Sequence, residues 1–65
     1  MTFVCYIHVP GSLTPHMRLL DGPRDALGEE LRLLVEEWPQ LERIEVYDQL
    51  DRPVIDVSPS GISAH

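Results

Sequence analysis

The chain has 65 residues, 5 of them basic and 11 acidic, giving a formal net charge of −6. That is one small domain, which buries only about 60% of the surface its unfolded chain exposes, so its core is thin. With 43% hydrophobic residues it is expected to fold rather than stay disordered, its one cysteine excludes an intrachain disulfide framework and a cysteine-rich zinc site, and no apolar run approaches the roughly 20 residues of a membrane-spanning helix.

Residues 2–9 read as a strand, because Phe3, Val4, Tyr6, Ile7 and Val9 favour β structure and Pro10-Gly11 stops the run. Alternation puts Phe3, Cys5, Ile7 and Val9 on one face and Thr2, Val4, Tyr6 and His8 on the other. Both faces are partly apolar. Such a strand is either central and covered on both sides, or meets another subunit with its second face. Residues 10–15 have turn chemistry. Residues 16–21 read as a second strand with Met17 and Leu19 on one face, because the alternative, a structureless loop of about thirteen residues, is uncommon in a compact domain.

Residues 23–38 read as a helix. Pro23 suits its first position, with Gly22 or Asp21 as cap, and Pro39 ends it. Leu27, Leu31, Leu34 and Trp38 recur at helical spacing and make one apolar stripe, with Val35 beside it and Trp38 as a core anchor. Asp25, Glu29, Arg32 and Glu36 fall on the opposite side. Gly28 costs about 1 kcal/mol relative to alanine inside a helix and is expected where the helix approaches the sheet closely. Leu33 lies off the stripe, beside Glu30 and Glu37, and reads either as a scattered exposed residue or as part of a contact surface.

Residues 42–48 read as a strand with Ile44 and Val46 inward and Arg43, Glu45 and Tyr47 outward. Residues 49–52 turn the chain, and residues 53–57 return as a strand with Pro53 at its start or on an edge. Residues 58–65 have the composition of a flexible tail. The fold class expected is α+β: a small, mostly antiparallel sheet in ββαββ order, or βαββ without the second strand, with one helix on one face and residues 1–57 as the domain. The opposite face then carries Val4, Tyr6, Tyr47 and Ile55. One helix cannot cover both faces, so a homodimer is expected, joined face to face or by edge strands.

Candidate chemistry is sparse. Lysine is absent, which removes Schiff-base chemistry and a phosphate-loop lysine. The acidic balance argues against direct binding of nucleic acid. Cys5 and His8 are three residues apart, which on a strand sends them to opposite faces, so Cys5 reads as a small core hydrophobe. His8 and His16 flank the proposed turn symmetrically about Ser12. In that register the imidazoles stand across from each other, as weak metal ligands or a pH-sensitive pair that Asp21 or a C-terminal residue would complete. Two ligands are too few for a tight site, and no cofactor is expected. Asp25, Glu29, Glu36 and Glu37 form an acidic surface that reads first as a solvated face with ion pairs to Arg32.

No phosphate-cradling glycine loop, nucleophile elbow or zincin motif stands in the chain, so no catalytic residue is assigned and no enzyme is expected. Residues 1–6 do not read as a signal peptide, and the methionine start and polar tail read as those of a whole protein. The expected function is a non-catalytic, cytoplasmic protein-interaction module that self-associates and binds neither membrane nor nucleic acid directly. The alternative is an acidic regulatory inhibitor, of phage or toxin–antitoxin type, that docks a basic nucleic-acid-binding protein. A third reading is a weak metal or pH sensor using His8 and His16.

Overall fold

Apolar alternation on β1 (Thr2–His8) places it inside a sheet, and in the computed structural model, which describes residues 1–58 and 61–64, it has a neighbour on each side. β2 (His16–Asp21) pairs with one edge of β1 and β3 (Arg43–Tyr47) with the other. β4 (Pro53–Ser58) follows β3, and β5 (Gly61–Ala64) closes the series in the order β2-β1-β3-β4-β5. Every pairing is antiparallel. One helix, α1 (Leu27–Glu37), links β2 to β3 and lies on one face, so the fold is α+β with the expected ββαββ order and one strand added.

The register explains the core. Phe3 pairs with Leu20, Cys5 with Val46, and Ile7 with Ile44, which pairs onward with Val57. These side chains share one face, and the helix stripe of Leu27, Leu31 and Leu34 is buried on them together with Val54. Removing each such aliphatic side chain from water favours folding by about 1.5–3 kcal/mol, which is what holds so short a helix in place. Trp38, Leu41, Val9 and Ile55 pack at the margin of this core.

The helix is shorter than the expected 23–38. The chain first makes a 3-10 turn over Arg24–Ala26, closed by Ala26 N–H donating to the Pro23 carbonyl at 3.0 Å. Ala26, the N-cap of α1, makes no side-chain cap bond, and Glu29 and Glu30 set negative charge against the positive end of the helix dipole instead. At the other end the Trp38 N–H donates to Leu34 at 2.9 Å, and Pro39, which has no N–H, stops the helix. Arg18 on β2 reaches both carboxylate oxygens of Glu37, at 2.9 and 3.0 Å, and ties the helix end to the sheet edge.

Two further expectations are corrected. Residues 61–64, read as tail, form β5, with Val57 opposite Ile62 and Ser58 opposite Gly61; Pro59, Ser60 and His65 of that tail lie outside the described residues. The β3–β4 register shifts between Val46 and Tyr47, so Val46 pairs with Ile55 and Tyr47 with Pro53. Ile55, opposite Val46 and two residues from Val57, therefore lies on the helix side, against the core, rather than on the open face, and the bulge brings Val54 into the same core. Before it, Asp48 shapes the turn by accepting the Leu50 and Arg52 N–H groups at 2.9 and 3.0 Å, with Asp51 in the left-handed region at φ 60°.

Candidate functional site

The sheet face away from α1 carries no covering element among the described residues. Its composition follows from the pairings. Leu19, Val4 and Tyr47 lie side by side in one row across β2, β1 and β3. Met17, Tyr6, Glu45 and Asp56 make the next row, across four strands. His8 and Arg43 pair beyond them. One part of the face is therefore apolar and another carries charges of both signs, with Thr2 and Asp21 paired beyond the Leu19–Val4 row.

The apolar part is open to water. Met17 is 65% and Leu19 60% exposed, while Val4, Tyr6 and Tyr47 are half-buried by their neighbours. The Tyr6 and Tyr47 rings meet edge to face, with centroids 5.7 Å apart and planes at 74°. That geometry directs the positive edge of one ring at the negative face of the other and stiffens both side chains.

Glu45 organises the charged part. It accepts from the Tyr47 hydroxyl at 2.8 Å and lies 2.7 Å from His8 Nε2. Arg43 stands 3.4 Å from both Glu45 and Asp56 and links the two carboxylates. The Tyr47 hydroxyl, with help from His8 and Arg43, holds the Glu45 carboxyl below the usual carboxylate range against the opposing effect of desolvation. The same bond raises the Tyr47 hydroxyl above its ordinary value. With its oxygens engaged by neighbours, Glu45 is a fixed acceptor that sets the positions of Tyr47 and His8.

Of the predicted site residues, the structure brings Val4, Tyr6 and Tyr47 together on this face and separates the others. Ile55 is on the helix side, and Leu33, 47% exposed, is on α1. His8 and His16 do not meet. The register is Ile7 opposite His16, one residue away from the symmetrical one, and a one-residue shift moves a side chain to the other face. His16 instead lies against the Trp38 ring, with centroids 4.7 Å apart, and His8 joins Glu45. Among the described residues no group of three or more His, Cys, Asp or Glu side chains stands close enough to hold a metal ion.

The acidic surface is largely answered within the chain. Arg32 bonds Glu29 on one side and Glu36 on the other, and Glu37 is held by Arg18. These bonds keep the carboxyls of Glu29 and Glu37 below their ordinary range. Asp25 sits exposed in the 3-10 turn. Cys5 is fully buried under the helix, and desolvation pushes its thiol up to about 11. It is a thiol in the core, screened from the open face by its own strand.

Sequence reasoning did not find the Glu45–Tyr47–His8 cluster or the Met17–Leu19 contribution to the apolar patch. A signal for the first was present: Glu45 and Tyr47 are two apart on one strand and so share a face. Their alignment with His8 and Tyr6 needed the β1–β3 register. Comparisons with protein-family models, with curated proteins and with solved structures give no match. No helix among the described residues is long and apolar enough to cross a membrane.

Proposed function

We propose that the chain is a small, non-catalytic protein-interaction module that forms a homodimer through the open face of its sheet. The observation that carries this reading is the contiguous patch of Val4, Tyr6, Met17, Leu19 and Tyr47 on a face with no covering element among the described residues. Five strands about 4.8 Å apart on a thin single-helix core leave a face that a second sheet, packed about 10 Å away, would fill. The charged part of the face suits a twofold axis. Arg43 lies beside Glu45 and Asp56, so the guanidinium of one protomer meets the carboxylates of its partner when the face turns on itself.

Self-association completes a hydrophobic core that one copy builds on only one side, and the helices are left facing outward to meet other proteins. A reducing compartment such as the cytoplasm suits the single buried thiol. Native mass spectrometry beside light scattering, at low and high salt and over a concentration series, tests the reading. The expected result is a dimer that persists at high salt, because apolar contact rather than charge dominates the face. A monomer at every concentration contradicts it.

A further inference from the structure

The helix layer is half empty. Five strands at about 4.8 Å spacing present a surface roughly 20 Å wide, and one helix about 10 Å across covers half of it. Burial on the helix side falls in the same direction. Phe3, Cys5 and Ile7 on β1 and Ile44 and Val46 on β3 are at most 1% exposed, whereas Ile62 on β5, paired with Val57 on that same face, is 59% exposed. Between α1 and this end of the sheet runs a groove of about 320 Å³, lined by Gly28, Leu31, Val35, Val57 and Ile62, with Arg32 on its rim.

Gly28 has no explanation within the chain. A glycine here weakens the helix relative to alanine, its φ is not positive, and a Cβ built on it meets nothing within 4 Å. The close approach to the sheet expected from the sequence is absent. The glycine instead leaves bare backbone on the wall of the groove, where an incoming segment can come close.

Charge selects among occupants. Arg32 is held on both sides by Glu29 and Glu36, so the rim carries more negative than positive charge, Asp25 stands exposed in the preceding turn, and the chain as a whole is at −6. A second copy of α1 would bring the same acidic flank to the same rim and be repelled. We infer that the groove between α1 and β5 docks an amphipathic helix of a partner protein, with its apolar stripe on Gly28, Val35 and Ile62 and its arginines or lysines on Glu29 and Glu36. The dimer face lies on the opposite side of the sheet, so a dimer offers two such grooves, and failure of either reading leaves the other standing.

The test is a displayed library of helices about 15 residues long, roughly four turns, selected against the whole chain. All members share a leucine stripe at i, i+3, i+4 and i+7, and their flanking positions vary among Arg, Gln and Glu. Selection is expected to enrich arginine flanks, with binding that weakens as salt rises. Gly28→Leu, which fills the groove, is expected to weaken binding at least about tenfold, as truncating or blocking a central contact does, while Gly28→Ala, which adds only a Cβ to the wall the segment approaches, weakens it by a smaller factor. Ile62→Glu, at an exposed position, should weaken it independently. No enriched helix, enrichment of glutamate flanks, or binding indifferent to both Gly28→Leu and Ile62→Glu overturns the inference.

Discussion

Replacing Leu19 by serine removes an apolar side chain from the open face without touching the core, because Leu19 is already 60% exposed in one protomer. Full burial of a leucine is worth about 1.5–3 kcal/mol, so covering the exposed share of this one adds about 1–2 kcal/mol per protomer. A twofold interface uses the residue twice, which makes the loss about 2–4 kcal/mol per dimer and the expected weakening roughly 30- to 700-fold in Kd. Sedimentation equilibrium over a concentration series reads that shift directly. Leu33→Ser is the matched control: it removes a similarly exposed leucine, 47% accessible, from the helix instead of the sheet face. Circular dichroism should show both variants folded. Unchanged association of Leu19→Ser, or equal weakening by Leu33→Ser, would refute the assignment of the face.

Three other outcomes follow from the packing and the electrostatics. Leu31 is 0% exposed at the centre of the helix stripe, and Leu31→Ala should cost about 2–5 kcal/mol. At about 0.05–0.15 kcal/mol per residue the whole stability of a chain this size is about 3–10 kcal/mol, so the loss is about half of it and the urea midpoint should fall sharply; a near-native midpoint contradicts the core described above. Glu45 is held below its ordinary value of 4.5, so its contribution to stability is present above that value and lost as pH falls through the depressed one. Tyr47→Phe removes the largest cause of the depression, and the fall in urea midpoint between neutral and acid pH should shrink; an undiminished fall contradicts the assignment. The Cys5 thiol, pushed up to about 11 by burial, should resist a thiol reagent in the native state at neutral pH and react on unfolding, and rapid native labelling would show that the helix does not cover it.

Much of the fold was legible because two periodicities were clean. Phe3, Cys5 and Ile7 alternate on β1, and Leu27, Leu31 and Leu34 repeat on α1, and both sets are buried where their spacing placed them. What was not legible depended on register. Reading His8 and His16 as partners assumed a turn centred on Ser12. The actual turn, with Gly11 at φ 82° and the Ser12 N–H donating to Val9 at 3.3 Å, pairs Ile7 with His16 and sends the histidines to opposite faces. Ile55 was misplaced although it is two residues from Val57 and shares its face, and Val54 joins the same core only through a bulge that no alternation rule anticipates. Gly61–Ala64 pairs with β4 although its composition is that of a tail, because backbone pairing asks little of side chains. The apolar patch was half legible: Val4, Tyr6 and Tyr47 follow from alternation, and Met17 and Leu19 join them only once β2 is known to lie beside β1.

The most direct test of the dimer face is an isotope-filtered NOE experiment on a mixture of labelled and unlabelled chains, which detects contacts between protomers alone. The expected intermolecular contacts join the methyls of Val4, Met17 and Leu19 to the rings of Tyr6 and Tyr47. Contacts confined to the outer edges of β2 or β5, or no contacts from a chain that sediments as a monomer, would contradict the account.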